Sequence, residues 1–156
     1  MKRAICLVIC LLIPVYAFAL SDIDIMVSGH NLYCSICGAM EIPEEPFSVD
    51  ETKEHYTYRI AENLYDVFFV TDGSVTGFGC VCKDESKEIE FLAQCVTACY
   101  NFLGTKAGDT CYNVILSQFM FARGGNNLDI TTAIPGLAVH ISKESFGYVF
   151  TLTVGN

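Results

Sequence analysis

The chain has 156 residues, 52% of them hydrophobic and 17% charged, and a formal net charge of −9 at pH 7. This length suits one domain built around a single core. Such an acidic chain repels nucleic-acid phosphates unless its few basic residues cluster, and it is poorly suited to cationic attack on membranes. Composition therefore argues against a nucleic-acid partner.

The N-terminus has the pattern of a secretory signal peptide. Lys2 and Arg3 precede an apolar run over residues 4–20, which contains an Ala-Phe-Ala cleavage motif ending at Ala19. The run is slightly short for a bilayer span and is interrupted by Pro14. A cleaved leader is therefore favoured over a membrane anchor.

We predict a signal peptide over residues 1–19 and a single secreted, cysteine-rich domain over residues 20–156. Cleavage would remove Lys2 and Arg3 and change the formal net charge from −9 to −11. The predicted location is extracellular, with delivery into host tissue as a further option.

Three segments in the first half predict strands. HYTYRI, residues 55–60, alternates along its length and is a candidate strand before a hairpin. In that hairpin, Asp72-Gly73 separates the apolar runs Leu64–Thr71 and Ser74–Lys83. Asp-Gly between β-branched and aromatic runs is the signature of a type I′ turn.

DESKEIEFLAQCVTACYNFLG, residues 84–104, predicts a helix. Asp84 or Ser86 can cap its start, where acidic residues suit the helix dipole. Gly104 is placed to end it. The apolar stripe at three- and four-residue spacing comprises Ile89, Leu92, Val96, Cys99 and Leu103.

CYNVILSQFMFARGG, residues 111–125, is ambiguous between helix and strand, and its apolar spacing favours a helix ending at Gly124-Gly125. The tail predicts three strands, with a type II turn at Pro135-Gly136. The strand segments are NLDITTAI (127–134), LAVHIS (137–142) and FGYVFTLTV (146–154).

The expected fold class is α+β: a small disulfide-stapled domain in which antiparallel sheet packs with one or two helices.

Seven cysteines lie after the signal peptide, and in a secreted chain disulfides are their default use. They are Cys34, Cys37, Cys80, Cys82, Cys95, Cys99 and Cys111. Zinc is disfavoured because the second close pair is C-x-C and the secretory pathway is oxidising. CSIC (34–37) does not resemble a thioredoxin site, because a loop rich in helix breakers follows it. We predict neither a metal nor a cofactor.

The cysteine pairs are expected to meet between sheet and helix. Cys80 and Cys82 share one face of a strand, and Cys95 and Cys99 share one face of a helix. Packing the helix on that strand face would form at least one bond between the two pairs. Because seven is odd, one cysteine stays free or links two chains, so the protein is a monomer or a disulfide-linked dimer.

One constellation suggests acid–base chemistry. His55, Arg59 and Glu62, with or without the distant His140, could act on a phosphate. The alternative is an ordinary polar strand face, and this interpretation is favoured. No catalytic residue is therefore predicted, and the three residues are kept as the alternative site.

Residues 56–60, YTYRI, followed by YDVFFVTDGSVTGF (65–78), resemble the central sheet of small fungal extracellular ribonucleases, a scaffold that powdery-mildew-type effectors reuse. LYC, residues 32–34, is similar to the Tyr-x-Cys motif of such effectors. The family's catalytic histidine would follow the second hairpin strand, where GFGCVCK (77–83) has none. The resemblance implies a secreted scaffold without nuclease activity.

CVC (80–82), then Cys99, KAGDTC (106–111) and SQF (117–119) are also similar to the cysteine core of the virally encoded killer toxins of smut fungi and related effectors. The cysteine that this family has shortly after the position of Phe119 is missing. This resemblance implies an α/β sandwich of antiparallel sheet and helices that acts on another organism.

The sequence therefore predicts a secreted, disulfide-stabilised effector or toxin-like protein that is not an enzyme. It would bind a host protein or another extracellular macromolecule. One alternative is a ribonuclease-like enzyme or RNA-binding protein that uses His55, Arg59 and Glu62. The other is a structural wall or coat protein whose odd cysteine links chains.

Overall fold

The structure is a computed structural model that describes residues 22–126, 134 and 136–154. Three predictions fall outside these residues: the signal peptide, the strand at 127–134 with the exception of Ile134, and Pro135 of the turn. No helix within the described ranges combines the length and apolar character that crossing a bilayer requires.

The architecture is α+β, as predicted: the described residues form one antiparallel sheet of six strands, in the order β1-β2-β3-β4-β6-β5, together with two helices. Five predicted strands are confirmed within a few residues: those at 55–60, 64–71, 74–83, 137–142 and 146–154. In chain order the elements are α1 (Asp22–Cys37), β1 (Ser48–Val49), β2 (His55–Ala61), β3 (Leu64–Thr71), β4 (Ser74–Cys82), a 3₁₀ turn (Glu85–Lys87), α2 (Glu88–Arg123), β5 (Leu137–Glu144) and β6 (Gly147–Val154).

The hairpin between β3 and β4 turns as the Asp-Gly pair predicts. Asp72 has a φ of 51° and Gly73 a φ of 80°. A type I′ turn requires positive φ at both central residues, and this handedness matches the twist of the flanking strands. The turn therefore sets the pairing of Thr71 with Ser74 and of Val70 with Val75, and the register then shifts by one residue so that Phe69 pairs with Gly77.

The sheet has two unlike faces. The buried ring of Phe68 has its centroid 6.4 Å from the ring of His30 on α1 and 6.5 Å from the ring of Phe102 on α2. Both helices therefore cover the same face. Successive side chains on a strand alternate between faces, so Tyr65 and Val67 lie on the opposite one, where they are only partly buried.

Helix α2 is a hairpin of two helical arms. At Gly104, φ is 72° and ψ is 174°, which lies outside the helical region. Beyond this bend the chain returns along its own path, because Glu88 and Arg123 form an ion pair of 3.0 Å and the rings of Phe91 and Phe119 lie 6.3 Å apart. The predicted helix end at Gly104 and the predicted helix over 111–125 are both confirmed.

Replacing Gly104 with alanine should lower the free energy of unfolding by about 1–2 kcal/mol, because a φ of 72° combined with a ψ of 174° is a backbone conformation that only glycine adopts without strain. No neighbouring atom would meet the new methyl group, so the backbone supplies the whole effect. Thermal unfolding should show a fall of roughly 3–6 °C. Gly124→Ala is the control, since the φ of Gly124 is −75°. Equal effects at both positions would contradict the assignment of the bend.

Candidate functional site

The structure does not assemble the alternative catalytic set. His55 and Arg59 both lie on β2 and are exposed. They are four positions apart along the strand, so their Cα atoms are about 13 Å apart. Glu62 is exposed in the turn after β2. His140 lies on β5 at the far edge of the sheet, four strands from β2 or roughly 19 Å away.

His55 has a structural partner. Its Nδ1 lies 2.8 Å from Oδ2 of Asp50, and its backbone amide donates to Oδ1 of the same carboxylate at 3.0 Å. These contacts hold the pKa of Asp50 below its usual range. The carboxylate also accepts from Thr52 and from the Glu54 amide. His55 and Asp50 therefore close the loop before β2.

A buried polar cluster that the sequence did not reveal lies between the helices and the sheet. His30 on α1 and Gln94 on α2 are both buried, with His30 Nε2 2.8 Å from Gln94 Oε1. Gln94 Nε2 donates to the Met40 carbonyl at 2.7 Å, and the Cys34 thiol donates to the same oxygen at 3.3 Å. Because a carbonyl only accepts, the Gln94 amide orientation is fixed, and His30 must carry its proton on Nε2.

Asp66 is the third buried polar residue of this cluster. Its Oδ2 lies 3.9 Å from His30 Nε2, and the Cys80 thiol is a neighbour on the adjacent strand. Burial raises the pKa of Asp66 to about 8 and lowers the pKa of His30 to about 4. At neutral pH both side chains are therefore uncharged, as buried groups without a close ionic partner must be.

The cluster is not an accessible active site, even though it combines histidine, carboxyl and thiol groups. His30, Asp66 and Cys80 are fully buried, so a substrate could not reach them in this conformation. Among the described residues, no three His, Cys, Asp or Glu side chains come together as ligands for a metal ion. We therefore assign the cluster a structural role.

All seven candidate cysteines lie in the described part of the chain, and all are thiols. The stapling disulfides therefore have no direct support in the fold and stay a prediction. The structure does bring together one member of each predicted pair, Cys80 and Cys95, whose thiols are hydrogen-bonded. Cys37, near the C-terminus of α1, is only half-buried, and the other six are buried.

The accessible candidate site is a shallow groove of about 310 Å³ on the sheet face opposite the helices. Phe47, just before β1, is 61% exposed. Its ring centroid lies 6.1 Å from that of Tyr65, and Lys83 Nζ lies 5.6 Å from the Tyr65 ring centroid. The groove is lined by Phe47, Ser48, Thr57, Tyr65, Val67, Val81 and Lys83.

Phe69 fills the sheet face towards the hairpin end. Its ring lies on Gly77 and Gly79 of β4, so closely that a Cβ at Gly79 would stand 3.1 Å from the ring. Its edge meets the His55 ring at a centroid distance of 5.6 Å. Glycines thus let an aromatic side chain lie flat there, whereas the groove around Tyr65 stays open.

The fold and the groove define an α+β protein with an antiparallel sheet that is covered by helices on one side. Comparisons of the chain with protein-family models, with curated proteins and with solved structures find no match.

Proposed function

We propose that this chain is an exported effector or toxin-like protein, without catalytic activity, that binds a host protein through the groove around Tyr65. The observation that carries the proposal is the exposed Phe47 beside Tyr65 on a sheet face that no described helix covers. Aromatic side chains of this kind are typical anchors of protein interfaces.

The groove lining suits an apolar peptide segment that carries an acidic side chain. Val67 and Val81 offer aliphatic contact, and Ser48 and Thr57 offer hydroxyl groups at the β1 side. Lys83 places a positive charge at the groove of an otherwise acidic protein. Opposite charges across an interface favour encounter and fix orientation. The proposed ligand is therefore an extended segment of a host protein with one carboxylate near Lys83.

Selection of a random peptide library on the immobilised protein tests the groove. We expect apolar peptides with an acidic residue, whose affinity for Phe47→Ser falls about tenfold or more, as for a central aromatic contact. Phe121→Ser is the matched control, because Phe121 is 49% exposed on the second arm of α2, and the helices lie on the other side of the sheet from the groove. Peptides that bind both variants equally would place the interface elsewhere.

Activity assays test the functional class. Leaf expression of the exported chain should cause cell death or suppress immune responses, and Phe47→Ser should weaken this effect while Phe121→Ser does not. The refolded protein should leave RNA intact. RNA cleavage that is lost in His55→Ala would instead establish the ribonuclease alternative and overturn the proposal.

A further inference from the structure

Two pairs of buried thiols are in contact across element boundaries. Cys80 on β4 is hydrogen-bonded to Cys95 on the first arm of α2. Cys99, one turn further along that arm, is hydrogen-bonded to Cys111 on the second arm. The first pair joins helix to sheet, and the second joins the two arms of the helical hairpin.

The other buried thiols point to different partners. Cys82 follows Cys80 on the same face of β4, yet its thiol donates to the Asp84 carbonyl at 3.1 Å. Cys34 donates to the Met40 carbonyl. Of the two cysteines in C-V-C, Cys80 is the one whose thiol is hydrogen-bonded to Cys95, whereas the Cys82 thiol is engaged by a backbone carbonyl.

We propose that the exported protein carries two disulfides, Cys80–Cys95 and Cys99–Cys111, and that Cys34, Cys37 and Cys82 remain thiols. Thiols that already interact need only small shifts to bond, and the register that pairs Phe91 with Phe119 sets Cys99 opposite Cys111. Bonding Cys82 or Cys34 would first break the hydrogen bonds of these thiols to backbone carbonyls. The inference depends on an oxidising environment and not on the peptide-binding groove.

Each bridge forms by exchange with a disulfide oxidant such as oxidised glutathione. One cysteine thiolate attacks the glutathione disulfide, forms a mixed disulfide and releases one glutathione. The second cysteine displaces the other glutathione, so the two protein thiols are oxidised by two electrons and one glutathione disulfide is reduced to two thiols.

Burial determines when this exchange takes place. Cys80 and Cys95 are fully buried, and burial raises the pKa of both thiols, so the folded reduced protein presents no thiolate there to an oxidant. The attacking species is the thiolate. The Cys80–Cys95 bridge therefore forms while the chain folds, and this thiol pair resists oxidation in the folded reduced protein.

The test is to refold the reduced exported chain, residues 20–156, in a glutathione redox buffer, alkylate free thiols under denaturing conditions, and map the linkages after tryptic cleavage. The expected product is one species of three linked peptides, residues 60–83, 88–106 and 107–123, with a single alkylated cysteine. Fragmentation should place that alkyl group on Cys82. The peptide that contains Cys34 and Cys37 should be alkylated twice.

Three variants keep the test decisive, because C-V-C and the Cys95/Cys99 segment each contain two cysteines on one tryptic peptide. Cys82→Ser should retain the three-peptide species, whereas Cys80→Ser should release the 60–83 peptide and retain the link to Cys111. Cys99→Ser should release the 107–123 peptide and retain the link between 60–83 and 88–106, whereas release of 60–83 by this variant would show the crossed pairing and overturn the proposal. A bridge from Cys82 or Cys34 to Cys95, or seven alkylated cysteines after oxidative refolding, would overturn the proposal.

Discussion

Replacing Gln94 with leucine should lower the free energy of unfolding by about 2–4 kcal/mol, although leucine is the more hydrophobic residue of similar size. The side-chain amide joins His30 on α1 to the carbonyl of Met40 in the following loop. Leucine would leave the His30 Nε2–H without its acceptor and would remove the nearer donor to the carbonyl. A buried polar group that loses its partner destabilises the folded state by about 1–3 kcal/mol. This loss exceeds the stabilisation from the extra apolar contact of leucine.

Urea unfolding measures this effect, and a double-mutant cycle identifies its source. His30→Phe together with Gln94→Leu removes both side chains of the 2.8 Å hydrogen bond, while the Cys34 thiol still donates to Met40. The phenylalanine can keep the stacking of the His30 ring on Phe78. We expect the double variant to be no less stable than Gln94→Leu alone. Additive losses would mean that packing, and not hydrogen bonding, explains the role of Gln94.

Local signals were sufficient to predict the hairpin and both arms of α2. Asp72-Gly73 determines its turn through its own backbone preference, and Gly104 ends the first arm for the same reason. Neither feature needs a distant partner. The pairing of β4 with β6 brings together Cys80 and Phe150, 70 positions apart in the sequence, and no local pattern specifies that contact.

Helix α1 was not predicted because half of its buried stripe is not aliphatic. Ile23, Val27, His30 and Cys34 have helical spacing and are all buried. However, two aliphatic residues alone are too few to indicate an amphipathic helix. The partners of His30 lie on other elements, with Gln94 64 residues away, so the sequence contained no sign that the imidazole would be buried.

Two features of β3 could have revealed the buried cluster and the groove. Asp66 stands between Leu64 and Phe68, at a position that strand alternation turns towards the core. A carboxyl group there predicts either a partner or a raised pKa. Tyr65 and Val67, on the opposite face, are not strongly polar, which is unusual for a solvent-facing strand surface and is consistent with a docking site.

Asp66 should make the protein less stable as the pH rises from about 6.5 to 8. In the folded state the pKa of Asp66 is about 8 and that of His30 about 4, against ordinary values of 3.8 and 6.5. Between pH 4 and 6.5 the folded state holds one proton on Asp66 and the unfolded state holds one on His30, so this pair contributes no pH dependence. Above pH 6.5 only the folded state retains its proton.

Stability falls wherever the folded state binds more protons than the unfolded state and the pH rises. The fall is about 1.4 kcal/mol per pH unit, or about 2 kcal/mol between pH 6.5 and 8. Asp66→Asn cannot ionise, so its stability should rise from pH 4 to 6.5, as the unfolded-state His30 loses its proton, and should then level off. Urea unfolding across this range measures both curves, with the exposed Asp22→Asn as the matched control. Parallel curves for the wild type and Asp66→Asn would show that the folded protein already accommodates a charged Asp66, and the uncharged buried cluster would then be the wrong description.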